Sequence, residues 1–264
     1  MKKTSEWLKE YQIILKKKYG QNFLSSDLYT KKIVKKSEIK DVDYIIEIGP
    51  GAGTLTEELE KTGLKVIAYE IDTTLKSLLE ERFKNKNVEI IFGDFLKADL
   101  TPYKDKKIAY IANIPYNISS PILEKIFIET PNFVQASLMV QKEFGERIIA
   151  TSGKNYSPLS VFVQYFCDVK KLLDVPKSAF IPNPKIDSVV LKLTKHNKYN
   201  VDSKDFFKFI HICFSQRRKT IRNNLKSIID DVEYFLESCG IDSKSRPETI
   251  SVEQYLNMYK EYIK

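Results

Sequence analysis

The sequence predicts an α/β fold, with a mostly parallel sheet and helices on both of its faces, followed by a small all-helical domain. Three observations predict it. Across residues 42–193, short apolar runs alternate with stretches of helical periodicity, the pattern of successive βα units. The glycines that begin at Gly49, then Glu70, Asp94 and Asn113, each fall at the end of such a run. Open parallel sheets bind ligands at the carboxyl ends of their strands. Residues 194–203 are polar, and beyond them Phe206, Phe209, Ile210 and Phe214 recur at helical spacing. A catalytic domain is therefore expected over 1–195, with 1–18 as a basic extension, and a helical domain over 196–264.

Taken in order, Tyr44–Ile48 reads as a buried strand and 54–62 as a helix. Residues 65–69 form a second strand, 73–83 a second helix, and Val88–Phe92 and 107–112 two more strands. A helix is expected over 121–129, with Ser120 as N-cap and Pro121 at the first helical position. Residues 136–140, 161–167 and 188–193 read as further strands, being short and rich in β-branched and aromatic residues. Helices follow over 204–214, 219–229, Val232–Ser238 and Val252–Tyr262.

Gly49, Gly51 and Gly53 follow a strand and precede a helix, the setting in which a glycine run permits a tight turn and close backbone approach to a ligand. The spacing, with Pro50, is not the usual dinucleotide pattern. Glu70 lies 21 residues after Gly49, where a carboxylate can accept both hydroxyls of a ribose. Asp94 could accept from an adenine amino group. Asn113-Ile114-Pro115-Tyr116 ends the fourth strand. Adenine N6 is a poor nucleophile because its lone pair is delocalised into the ring. The Asn113 side-chain oxygen and the Ile114 carbonyl could accept its hydrogens and favour a more tetrahedral nitrogen. Pro115 fixes its own φ and biases Ile114 toward extended backbone, and Tyr116 offers a face for base stacking. Phe180, held by Pro182 and Pro184 at a loop entrance, could cover the other face. Glycines and Asn-X-Pro-Tyr in this order predict methylation of a nucleobase amine with S-adenosylmethionine as cofactor, by positioning and charge stabilisation.

The net charge of +8 is uneven: residues 1–40 carry 11 Lys against 4 acids, and 41–195 carry 20 basic against 21 acidic residues. Positive flanks around a near-neutral middle suit a polyanionic partner. Arg217, Arg218, Lys219 and Arg222 place four cations in six residues. If they share a helix, 218 and 222 lie on one face and suit RNA phosphates. Cys167, Cys213 and Cys239 fit neither a zinc nor a disulfide pattern, which points to reduced thiols in a reducing compartment, expected to be the cytoplasm. With only His196 and His211, no histidine-rich metal site is expected. No apolar run approaches the ~18 residues of a membrane span, and 1–18 has no secretory h-region. The chain is expected to act as a monomer.

Tyr19-Gly20-Gln21-Asn22-Phe23-Leu24, residues 47–53, residues 113–119, Gln141-Lys142-Glu143 and residues 180–188 resemble the rRNA adenine N6-dimethyltransferases. Residues 214–223 and Arg246-Pro247-Glu248-Thr249-Ile250-Ser251 look like the KsgA (RsmA) branch rather than the Erm branch. The resemblance covers about residues 18–262. It implies a Rossmann-like methyltransferase domain that dimethylates two adjacent adenosines near the 3′ end of 16S-type rRNA in the small ribosomal subunit. It also implies cofactor contacts at Asn22, Leu24, Gly49, Glu70, Asp94 and Asn113, and stacking of the target base on Tyr116 and Phe180. Residues 1–18, with Trp7 and Lys16-Lys17-Lys18, match no motif; they are either a basic arm on RNA or a lineage-specific extension. Competing readings are an Erm-type large-subunit methylase, a DNA adenine methylase and a non-catalytic assembly or transcription factor. Intact Asn113, Tyr116 and Glu70 oppose the last of these.

Overall fold

The computed structural model describes residues 2–16 and 21–264, so Lys17, Lys18, Tyr19 and Gly20 lie outside the described residues. The chain forms two compact units, residues 1–145 with 170–195, and residues 146–169 with 196–264.

The first unit holds α1 (Thr4–Glu10), β1 (Phe23–Leu24), α2 (Asp27–Ser37), β2 (Tyr44–Ile48), α3 (Thr54–Glu60), β3 (Lys65–Glu70), α4 (Lys76–Arg82), β4 (Val88–Phe92), β5 (Ile108–Asn113), α5 (Ser119–Glu129) and β6 (Phe133–Gln141). After α6 (Lys142–Ile149) and α7 (Pro158–Phe166) come β7 (Cys167–Val175), β8 (Phe180–Ile181) and β9 (Ser188–Lys195). Seven strands pair in the order β4-β3-β2-β5-β6-β9-β7, and β1 with β8 makes a separate two-stranded ribbon. The β2, β3, β4, β5 and β6 pairings are parallel, and β9 runs antiparallel to β6. The central strands are continuous apolar runs because both their faces are covered: Ile45, Ile46, Val66, Ala109 and Ile111 are almost wholly buried. Parallel pairing brings the last residues of β2, β3, β4 and β5 to one edge of the sheet, which is where the sequence reading places its site.

The second unit is mainly helical, with α8 (Ser203–Cys213), α9 (Ile221–Leu225), α10 (Val232–Ser238) and α11 (Val252–Tyr262). Phe206, Phe209, Ile210 and Cys213 turn one face of α8 into its core, beside Tyr255 and Tyr259 of α11. Ser251 starts α11 with a capping box to Gln254.

Four expectations need correction. Residues 161–166 are helix, not strand: Ser157 and Ser160 form a capping box and Pro158 opens α7, so the apolar run packs by helical spacing. For the same reason residues 146–169 belong with the helical unit, which the expected boundary at 195 missed. Helix α5 begins at Ser119, not after Ser120, and the Ser119 hydroxyl donates back to the carbonyls of Pro115 and Tyr116. Finally, Arg217, Arg218 and Lys219 lie in a turn, and only Arg222 is helical, so 218 and 222 do not share a helix face.

Candidate active site

A pocket at the carboxyl edge of the sheet is lined by Gln21, Asn22, Phe23, Gly49, Gly51, Glu70, Ile71 and the four residues Asn113, Ile114, Pro115 and Tyr116. All belong to the first unit. It brings together Asn22, Gly49, Gly51, Glu70, Asn113, Pro115 and Tyr116 from the expected set.

The turn after β2 needs glycine. Gly49, Gly51 and Gly53 have φ of +71°, +57° and +82°, in the left-handed region that favours glycine. At Gly51 a Cβ would also lie 2.5 Å from the Phe23 ring. The Gly51 N–H donates to a Glu70 carboxylate oxygen at 3.0 Å. Gly51→Ala should therefore cost about 1–3 kcal/mol through strain and overpacking. A urea melt of the variant, set beside its donor affinity, measures both losses.

Glu70 is 4% exposed. Its second oxygen accepts the Asp72 N–H at 2.7 Å. The Ile71 N–H also acts on this carboxylate, whose two oxygens, with about four acceptor sites between them, keep capacity for a ligand. Burial pushes the Glu70 carboxyl up to about 7, although the Asp72 and Gly51 N–H groups pull it down. Below it Glu47, 1% exposed, is pushed up to about 8 by burial, with Glu70 contributing in the same direction. Burial thus holds both acids toward their neutral forms, and Glu70 must lose its proton before it can accept from a ligand as a carboxylate.

Asn113 ends β5. Its Nδ2 donates to the Asn22 carbonyl at 2.9 Å, while its Oδ1 is buried without a partner. A buried, unpaired acceptor costs about 1–3 kcal/mol, and this one belongs to a residue that lines the pocket. The carbonyl of Asn22 also fixes the amide orientation, because the opposite flip would set oxygen against oxygen. The Tyr116 hydroxyl hydrogen-bonds the Ser188 hydroxyl at 2.7 Å, which holds the ring at the pocket wall. Burial raises the Tyr116 hydroxyl above its ordinary value, so the phenol is neutral.

Three expected residues stand elsewhere. Phe180 is not at a loop entrance: it lies in β8, paired through Leu24 to β1, and is 1% exposed in the core with Ile33, Ile45 and Leu55. Its ring does not line the pocket. Leu24 is a core residue too and does not line the pocket. Asp94 lies two residues beyond β4, where it caps a 3-10 turn by accepting the Leu96 N–H at 3.0 Å, and it does not line the pocket either. Gln21, Phe23 and Ile71 line it without having been singled out. The neighbours of Asn22 and Glu70 in the sequence were the available signal for them.

Among the described residues no cluster of His, Cys, Asp or Glu could hold a metal, and no helix is long and apolar enough to cross a membrane.

Comparison with known proteins adds independent findings. The family described as ribosomal RNA adenine dimethylase matches residues 14–264. A ribosomal RNA small subunit methyltransferase A of Thermotoga neapolitana is 48% identical over 259 residues, covering 97% of this chain and 95% of that protein. Its namesake from Clostridium acetobutylicum is 40% identical over 262 residues, covering 96% and 95%. Among solved structures, a dimethyladenosine transferase of Plasmodium falciparum superposes with a TM-score of 0.78 at 29% identity, covering 91% of this chain and 97% of that one. The 23S rRNA methyltransferase ErmE superposes with a TM-score of 0.76 at 26% identity, covering 92% and 100%.

Proposed function

The chain belongs to the ribosomal RNA adenine dimethylase family, and we propose that it places two methyl groups on N6 of each of two adjacent adenosines near the 3′ end of small-subunit rRNA. It is an S-adenosylmethionine-dependent rRNA adenine dimethyltransferase. The observation that carries the site-level reading is the Asn113 amide, its nitrogen committed to Asn22 and its buried oxygen unpaired.

The residues of the pocket fit S-adenosylmethionine. Glu70 has acceptor capacity for ribose hydroxyls, and the Gly49–Gly51 turn lets backbone approach closely. When bound, this cofactor supplies a methyl group on a positively charged sulfur. The chain's own residues do the rest. Asn113 Oδ1 accepts a hydrogen from N6, which moves lone-pair density from the ring toward the nitrogen. Tyr116 offers a stacking face, steadied by Ser188. No strong base is needed, since the methylated amine loses its proton readily. Catalysis is then positioning plus electrostatics.

Similarity of fold does not separate the small-subunit reading from the large-subunit one, since the two solved structures superpose almost equally well. Sequence does favour the former, at 48% identity against 26%. The test is methyl transfer from labelled cofactor to small subunits lacking the modification, with large subunits and duplex DNA as controls. Label confined to small subunits, recovered as N6,N6-dimethyladenosine, is expected. Equal label in large subunits would transfer the chain to the other branch. Action as a monomer in the cytoplasm is part of the same proposal.

The RNA surface is revised at the level of single side chains. Arg217 donates to the carbonyls of Lys154 and Tyr156 at 2.7 and 3.1 Å, and Arg222 pairs with Glu233. Arg218 and Lys219 are exposed, and no ion pair engages them among the described residues. Replacing both by Ala should weaken RNA binding and reduce the slope of log K against log salt by about 0.7–0.9 per lost contact. Arg217→Ala should instead lower the melting temperature. A salt titration of RNA affinity, paired with melting curves, separates the two effects.

A further inference from the structure

Residues 2–13 precede the span that the family model matches, and the structure builds all of 2–16 into the first unit. The Thr4 hydroxyl lies 2.8 Å from the hydroxyl of Thr54, the first residue of α3, and both side chains are buried. Leu8, flanked by Trp7 and Tyr11, packs with Phe23, Ala52, Leu75, Leu79 and Phe83. The Arg82 guanidinium lies 5.5 Å from the centre of the Trp7 ring. Ala52 follows Gly51, and Phe23 lies against Gly51, so this apolar cluster backs the glycine turn.

The segment ends at a buried acid. Lys16 Nζ donates to one Asp72 oxygen at 2.6 Å, and Gln21 Nε2 donates to the other at 2.7 Å. The Lys16 N–H donates to the Gln21 side-chain oxygen at 2.7 Å. Thr74 adds its hydroxyl and N–H to the first Asp72 oxygen. Asp72 is wholly buried. These bonds outweigh the effect of burial and hold its carboxyl down at about 2, so it is ionised at any working pH.

Two chains of hydrogen bonds run from Asp72 into the pocket. Its own N–H donates to the Glu70 carboxylate at 2.7 Å. Through Gln21 it fixes the strip Gln21-Asn22-Phe23, which lines the pocket and whose Asn22 carbonyl orients the Asn113 amide. We propose that Asp72, clamped by Lys16 and Gln21, is a positioning residue for the cofactor pocket, and that residues 4–16 serve as the pocket's outer brace rather than as an RNA-binding arm. The proposal rests on reading this pocket as the S-adenosylmethionine site. It gives Lys16, from the most basic stretch of the chain, an intramolecular role.

The experiment compares wild type, Lys16→Met, Lys16→Arg and Asp72→Asn in full-length protein. The readouts are calorimetric affinity for S-adenosylhomocysteine, RNA affinity at two salt concentrations, and melting temperature without ligand. Lys16→Met should raise the S-adenosylhomocysteine Kd about five- to tenfold, Lys16→Arg should stay within about twofold of wild type, and RNA affinity and salt slope should not change. In the double variant Lys16→Met/Asp72→Asn the loss should be less than the product of the two single losses, because both break one contact. Asp72 is buried and its variant could misfold; the Lys16 side chain is 30% exposed, so Lys16→Met keeps the test decisive. An unchanged Kd in Lys16→Met overturns the clamp, whether the variant loses RNA affinity, loses only thermal stability, or loses neither. A wild type that fails to bind S-adenosylhomocysteine overturns the reading of the pocket itself, and the clamp with it.

Discussion

Asn113→Ala abolishes methyl transfer while leaving most of the cofactor affinity in place. The expected fall in kcat is at least 10²–10³-fold, the range seen when one preorganised hydrogen-bonding group is removed at a developing charge. The amide sits where β5 ends, so the strand fixes its backbone, and the Asn22 carbonyl fixes its side chain at 2.9 Å. The unpaired Oδ1 is then aimed without any rearrangement in the reaction. Alanine removes that acceptor and leaves the Asn22 carbonyl without its donor, so a modest stability loss of about 1–3 kcal/mol should accompany the change. Asn113→Asp separates the two effects. It keeps shape and acceptor, but sets a carboxylate oxygen against the Asn22 carbonyl. It should fail in turnover as well, through misorientation rather than loss of the group. Single-turnover transfer, measured beside cofactor binding, reads the split. Either variant turning over at the wild-type rate would refute the role given to this amide.

What the sequence discloses here follows from where its signals are local. The strands β2 and β4 were legible to the residue because each is a short, mainly apolar run between polar breaks. The ends of β2, β3 and β5 then located Gly49, Glu70 and Asn113. Residues 161–166 misled because a short apolar run fits strand and buried helix equally by periodicity; the Ser-Pro start of α7 was the missed signal. Strand β7 escaped notice because it lies at the sheet edge, and Asp168, Lys170, Lys171 and Asp174 break up its apolar pattern. Phe180 could not be placed by its own neighbourhood. Its prolines suggest a loop, but it is buried by pairing with a strand more than 150 residues earlier. The same holds for charge. Nothing local shows that Lys16 meets Asp72, that Arg217 caps two carbonyls, or that Arg222 has Glu233 as partner. Long-range partners decide which cations remain for RNA.

Glu70→Gln should raise the Kd for S-adenosylmethionine about 10- to 100-fold, with RNA affinity unaffected. The magnitude is that of one or more hydrogen bonds to a charged group, about 1.5–3 kcal/mol. Geometry makes the amide a poor replacement. Both carboxylate oxygens now accept backbone N–H groups, from Gly51 and Asp72. Glutamine has one oxygen, so its NH₂ must face one of those donors. The pH dependence supplies a second reading. Burial raises the Glu70 carboxyl to about 7 in the ligand-free protein, above its value in an unfolded chain. The stability linked to this proton is fully present below the unfolded value and is lost as pH rises through about 7. A ligand that needs the ionised form works in the opposite direction: below about 7 the carboxyl must first lose its proton, so cofactor affinity should fall as pH drops from 7.5 to 6. The neighbouring groups do not reproduce that profile. Glu47 holds its proton up to about 8, and Asp72 stays ionised down to about 2. In Glu70→Gln the profile over this window should therefore be flat as well as weakened. Calorimetry at three pH values in buffers of different ionisation enthalpy measures Kd and proton release together. A wild-type affinity independent of pH, with no proton released, would show that ionised Glu70 does not hold the ribose. The wild-type Kd in Glu70→Gln would remove it from the site altogether.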